Sequence, residues 1–217
     1  MKLHTFVGSA NSRKVEAVIN HLGLKVEVQY HDALAGDLKA PGYLALNPNG
    51  MVPMLEDGQF VLWESNAIMQ YLADQAGADA LYPREPQLRA DIHRWQFWEL
   101  AHFNKAFGTL AFEAVAKPKL GLGETNQALV EVAQADLRRF TPVLERHLKD
   151  RRHLVGDRIT IADYSMIATE FYKAAIPFDW SPFASVNAYF ERMRTVEHWR
   201  RTAVADPAQT GRKPKAA

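Results

Sequence analysis

The sequence predicts two domains of different class, α/β over roughly the first 80 residues and all-α after them. Three observations carry this. Apolar residues two apart, the period of a half-buried strand, fall in the first part of the chain. Asp57-Gly58, a tight-turn pair flanked by apolar runs, lies there too. From Pro86 onward the apolar residues recur three and four apart, with no convincing strand.

Leu3 to Val7 is a short apolar strand, and Gly8-Ser9-Ala10-Asn11-Ser12 is a loop of turn and cap residues. Val15, Val18, Ile19 and Leu22 mark one face of a helix that Gly23 stops. Val26, Val28 and Tyr30 alternate with Lys25, Glu27 and Gln29, so a second strand completes a parallel βαβ unit. Residues 31–50 are loop-rich. Val52 to Glu56 and Gln59 to Trp63 then form a hairpin around Asp57-Gly58, and Ser65 is expected to cap a helix whose inner face is Ile68, Tyr71 and Leu72.

Residues 1–80 are read as the first domain, 81–86 as a linker, 87–205 as the helical domain and 206–217 as a disordered tail. Helices are expected over Leu88 to Ala116, Gln127 to Leu148, Ile161 to Ala175 and Val186 to Met193. Thr160 and Asp163 have capping-box spacing ahead of an apolar run and are read as structural.

Composition removes whole classes of function. With no cysteine among 217 residues there is no disulfide framework, cysteine metal site or cysteine nucleophile, so a reacting thiol must arrive with a ligand. Lys plus Arg total 26 against 25 for Asp plus Glu, and Arg212, Lys213 and Lys215 lie in the tail, so the body is near neutral. Such a body argues against a nucleic-acid partner. The basic run Arg146 to Arg152 is read as the end of a helix. No signal peptide or membrane span is expected, and a cytoplasmic location is the default.

Three pieces of the first domain carry chemistry. At Val52-Pro53, a cis bond would leave the Val52 N–H and C=O facing an extended peptide; a trans proline on an edge strand is the alternative. At Glu64-Ser65, free N–H groups of a helix start would attract a carboxylate while Glu64 accepts from an ammonium; a plain cap beside an exposed Glu is the alternative. In Gly8 to Ser12, a hydroxyl over a helix N-terminus would favour a ligand thiolate. The dipole contributes about 0.3–2 kcal/mol, at most about 1.5 pKa units, and a hydroxyl hydrogen bond adds to that.

The patterns Ser9-x-x-Ser12-Arg13-x-Val15, Asn47-Pro48-x-Gly50-x-Val52-Pro53 and Leu62-x-Glu64-Ser65-x-Ala67-Ile68, with Val155-Gly156-Asp157 to Ile161-Ala162-Asp163, together resemble the cytosolic glutathione transferase family from about residue 2 to 200. The resemblance implies a thioredoxin-like N-terminal domain (βαβ-ββα, with a cis-Pro at Pro53) and a C-terminal helical bundle domain. It implies that Ser9 activates the thiol, as in the theta- and phi-like classes, with Asn11, similar to the asparagine of the nu-like class, as rival or joint partner. Lys39 would lie near the glycine carboxylate of glutathione, Val52 would pair with the cysteinyl backbone, and Glu64 and Ser65 would hold the γ-glutamyl group. Two positions depart from the pattern: Leu38 stands where the phi class has a ligand-binding histidine, and Met51 where a glutamine is common.

The resemblance further implies a small hydrophobic electrophile, lined by the loop at Val7 to Ala10 and by Phe103, Phe107 and Tyr172, and a homodimer. Glutathione is then a cosubstrate and no cofactor or metal is expected; His93, His102, His147 and His153 lack ligand spacing. The expected reaction is conjugation of the glutathione thiolate to a small electrophile. Glutathione-dependent reduction of disulfides or peroxides, and a non-catalytic ligand-binding protein on this fold, are the alternatives.

Overall fold

Four short strands form one mixed sheet in the order β2-β1-β3-β4. They are β1 (Lys2–Thr5), β2 (Glu27–Tyr30), β3 (Met54–Asp57) and β4 (Phe60–Trp63). The computed structural model describes residues 1–202, so the tail expected from Asp206 lies outside the described residues. Helix α1 (Ala10–Leu22) joins β1 to β2 in parallel, which makes the expected βαβ unit. β3 then pairs antiparallel with both β1 and β4. The loop-rich stretch between β2 and β3 contains a 3₁₀ turn (Asp37–Lys39) and the short helix α2 (Pro41–Leu46), neither expected from the sequence. Helix α3 (Ser65–Gln75) closes the unit, with Ile68, Met69 and Leu72 fully buried and α1 packed beside it.

The chain divides into two compact units, Met1–Asp79 with the described chain from Val196, and Ala80–Thr195. The last segment therefore departs from the sequence reading, which carried the helical domain to residue 205. Its reason is packing on α1. Trp199 lies under the Arg13 guanidinium at 4.2 Å, Arg13 Nε donates to Thr202 Oγ1 at 3.3 Å, and Asn20 Nδ2 donates to the His198 carbonyl at 3.3 Å.

The second unit is helical. The helix expected over Leu88 to Ala116 is a run broken by two π-helical turns: α4 (Pro86–Trp98), a turn at Glu99–Phe103, α5 (Asn104–Ala111), a turn at Phe112–Ala116, then α6 (Lys117–Lys119). Helix α7 (Gln127–Leu148) has the expected bounds. The segment expected as one helix from Ile161 is two, α8 (Ile161–Ile167) and α9 (Glu170–Lys173). Helix α10 (Ala184–Arg194) follows, and α11 (Glu197–Arg200) belongs to the first unit.

Asp163 anchors the helical unit. Its carboxylate accepts from the backbone N–H of Thr160 at 2.9 Å, that of Leu154 at 3.0 Å and the Tyr189 hydroxyl at 3.0 Å. The capping box at Thr160 is formed as its spacing implies. Burial pushes the Asp163 carboxyl up, with these hydrogen bonds opposing it.

Candidate active site

Strand register gathers the sequence-singled residues at one end of the sheet. His4 of β1 stands opposite Met54, the first residue of β3, and Met54 stands opposite Trp63, the last residue of β4. The chain therefore leaves β1 toward Ser9, enters β3 from Val52-Pro53 and leaves β4 into Glu64-Ser65, all at the same edge. Two helices, α1 and α3, begin there with their N–H ends. Beneath them Leu38, Tyr43 and Met54 form a buried cluster, against which Phe6, Val52 and Val61 pack.

Ser9 is the N-cap of α1. Its Oγ accepts the Ser12 backbone N–H at 3.2 Å and its carbonyl accepts from Arg13 N–H at 3.0 Å. The acceptor side of the hydroxyl thus faces the helix, and its proton remains to be donated. Asn11 stands in the first turn of the same helix, exposed, with no side-chain hydrogen bond among the described residues. Both thiol candidates sit where the α1 dipole favours negative charge.

The Val52–Pro53 peptide bond is cis, as the family resemblance implies. Among the described residues the Val52 backbone takes part in none of the hydrogen bonds of the turns and loops. An unpaired N–H and C=O on a half-buried residue just ahead of a strand is what an added peptide strand requires.

At the start of α3 the structure corrects the expected cap. Glu64 occupies the N-cap position and Ser65 is the first helical residue. Glu64 has φ 74° and ψ 109°, the one non-glycine residue with positive φ among the described residues. The Glu64 side chain makes no cap hydrogen bond, so the N-terminal end of α3 keeps the character of an anion site. A serine at N-cap would have filled one of them; the strained Glu64 instead leaves the anion-binding end open and its own carboxylate exposed.

The remaining candidates divide. Lys39 ends the 3₁₀ turn, exposed and without an ion pair among the described residues. Leu38 is buried in the cluster under Val52, so at this position the chain supplies an apolar support. The Met51 side chain is 67% exposed and only its carbonyl is held. Val7 and Ala10 are half-buried on the loop that leads into α1. Tyr172 is half-buried, and burial pushes its hydroxyl up.

Phe103 and Phe107 depart from their expected role. They are 0% and 2% exposed; Phe103 stacks on Trp98 and on Phe107, and Phe107 meets Trp180 at a tilt, all within the helical unit, where they serve as packing. Residues the sequence reading left without a role are Tyr43 and Asn47. Tyr43 Oη donates to the Met51 carbonyl at 2.6 Å and Asn47 Nδ2 donates to the same oxygen at 2.8 Å. Asn47 belonged to a quoted motif, whereas Tyr43 carried no signal beyond being an aromatic in a loop-rich stretch. Among the described residues no group of three His, Asp or Glu is placed to hold a metal ion.

This arrangement defines a class: a thioredoxin-like unit with a cis-proline and two helix N-termini at one edge of its sheet, followed in the chain by a helical unit. Comparison with known proteins specifies it further. Residues 1–74 match the family description "Glutathione S-transferase, N-terminal domain", and residues 102–197 match "Glutathione S-transferase, C-terminal domain". "Glutathione S-transferase 3" of Zea mays is 36% identical over 166 residues, covering 75% of this chain and 73% of that protein. The theta class glutathione S-transferase of Xanthomonas axonopodis pv. citri, solved with glutathione bound, is 29% identical with a TM-score of 0.83, over 94% of this chain and 97% of that one. A glutathione S-transferase structure from Pseudomonas fluorescens is 32% identical with a TM-score of 0.79, over 91% of this chain and 96% of that one. The chain belongs to the glutathione S-transferase family, and it is an enzyme of that family.

Proposed function

We propose that this transferase activates the thiol of glutathione through Ser9 and joins it to a small hydrophobic electrophile. The observation that carries this reading is the Ser9 hydroxyl, which accepts from Ser12 N–H at the N-terminus of α1 and so keeps its own proton to donate. A thiolate held there attacks an electrophilic carbon. The sulfur–carbon bond forms, the leaving group departs with its electron pair, and the thiol proton goes to solvent. Preorganised donors and proximity supply the acceleration.

Glutathione lies extended in this reading. Its cysteinyl backbone pairs with Val52, and its γ-glutamyl carboxylate sits at the N-terminus of α3, at Ser65. Glu64 takes the ammonium, and Lys39 faces the glycine carboxylate. Val7, Ala10 and Tyr172 are the residues kept for the electrophile. A homodimer fits the family and the apolar surface that remains, with Phe97 65% and Phe60 48% exposed. No helix among the described residues is long and apolar enough to cross a membrane, in keeping with a cytoplasmic enzyme.

Asn11 supports a second reading, glutathione-dependent reduction of a disulfide, because its exposed amide is a free donor beside the same helix end. Titrating glutathione while following thiolate absorbance against pH, then assaying an aryl halide and a small disulfide, separates the two. Conjugation with a lowered thiol pKa is the expected result. Disulfide turnover alone would move the assignment to the second reading, and absence of glutathione binding would remove both.

A further inference from the structure

The peptide unit between Met51 and Val52 is held at one end. Its oxygen, the Met51 carbonyl, accepts both from Tyr43 Oη at 2.6 Å and from Asn47 Nδ2 at 2.8 Å. Two donors on one carbonyl oxygen leave the peptide plane little freedom to rotate. The bond is trans, and in a planar trans peptide the N–H points opposite to the C=O. The N–H of this unit is that of Val52. Fixing the Met51 oxygen toward α2 therefore aims the Val52 N–H away from it.

The two donors are themselves immobilised. Asn47 is 1% exposed; its N–H donates to the Tyr43 carbonyl at 2.8 Å, and its Oδ1 accepts from the Asn49 N–H at 3.1 Å and Asn49 Nδ2 at 2.9 Å. Tyr43 belongs to the buried cluster with Leu38 and Met54, and its ring meets those of His4 and His31 edge-on, at 5.9 and 5.0 Å. His4 is fixed in turn by Glu56 at 2.6 Å and His31 at 2.8 Å. Gly50 completes the turn: a side chain there would meet the Leu38 carbonyl at 3.1 Å. The Met51 side chain adds no anchorage, being mostly exposed, so the clamp on its carbonyl is what orients this peptide.

We propose that Tyr43 and Asn47 are positioning residues for glutathione, which hold the Met51 carbonyl so that the Val52 N–H is aimed at the tripeptide backbone before it binds. The proposal rests on the assignment of Val52 as the backbone partner of glutathione. It gives a function to two buried polar side chains that touch neither the thiol nor the electrophile.

The test is Tyr43→Phe, which removes one donor and keeps the ring. Glutathione Kd by calorimetry and KM should rise about three- to tenfold, the cost of one hydrogen bond. The kcat at saturating glutathione and the KM for an aryl halide should stay as in the unmodified enzyme. A lower Tm of the free protein with wild-type glutathione Kd would mean a merely structural role and overturn the proposal.

Nuclear magnetic resonance of the unmodified protein provides the second arm, which needs no variant. Glutathione should shift the Val52 amide and slow its hydrogen exchange, while the Met51 carbonyl carbon keeps its free-state shift. A Met51 carbonyl that moves on binding would show that the clamp is not formed beforehand, and would overturn the proposal. If the unmodified protein binds glutathione and Val52 is unaffected, the Val52 assignment fails; if Val52 responds and Tyr43→Phe binds normally, the positioning role alone fails.

Discussion

Ser9 Oγ accepts the backbone N–H of Ser12 at 3.2 Å. One hydroxyl thus caps a helix with its lone pair and keeps its proton to donate, so in the proposed function stability and thiol activation would be drawn from the same atom.

Replacing Ser9 by Ala is therefore expected to act twice. Conjugation should fall about 10²- to 10³-fold through loss of the thiolate donor. The lost cap should cost about 1 kcal/mol in a denaturant melt. Ser9→Thr keeps both functions. An unchanged rate in Ser9→Ala, with the cap cost present, would transfer the thiol role to Asn11.

Glu64 pays for its position with backbone strain of about 1–3 kcal/mol. Glu64→Gly releases that strain and costs about 0.5–1 kcal/mol in chain entropy, so the free protein should become more stable. Glutathione should bind more weakly, because the acceptor for its ammonium is gone. Thermal melts with and without glutathione measure both, and a destabilised free variant would refute the strain argument.

Glu145 of α7 predicts a pH dependence. Its carboxylate accepts the N–H groups of Ser185 at 3.0 Å and Val186 at 2.9 Å, at the start of α10. Burial pushes this carboxyl up, but the backbone and Ser185 hydrogen bonds outweigh it and hold it below its usual 4.5. A depressed carboxyl contributes stability above its unfolded pKa and loses it as pH falls through the folded one. Glu145→Gln should lower Tm by about 2–4 °C near neutrality, about 1 kcal/mol. The gap should close as pH falls below the ordinary carboxylate value, through the depressed folded one. A gap independent of pH would show that packing, not charge, sets it.

Asp163→Ala serves as a contrast. It strips partners from Thr160 N–H, Leu154 N–H and Tyr189 Oη in a buried site, at a cost of at least about 3 kcal/mol. Refolded enzyme at low temperature should keep the wild-type KM for glutathione, since Asp163 lies outside the unit that carries Ser9, Val52 and Glu64. A raised KM would contradict that separation.

Much of the first unit was legible because its signals are local. The alternation of β2, the apolar face of α1 and the Asp57-Gly58 turn each report on neighbours within a few residues. The bounds of α7 follow from the same regularity. What escaped had no local period: the π turns at Glu99–Phe103 and Phe112–Ala116 lie within an apparently continuous helical pattern, and α2 is too short to show one. Phe103 and Phe107 looked like ligand contacts because a sequence reports that a residue is aromatic, not which way it faces.

The sequence by itself determined the two-domain class, the absence of any protein thiol, and Ser9, Val52, Glu64 and Ser65 as the residues to consider. Only the tertiary structure decided how they are placed. Strand register brings them to one edge of the sheet. Glu64 rather than Ser65 takes the cap position, and Tyr43 and Asn47 converge on the Met51 carbonyl. The reason is physical: residue type sets what a group can donate or accept, whereas long-range packing alone sets the direction in which it does so.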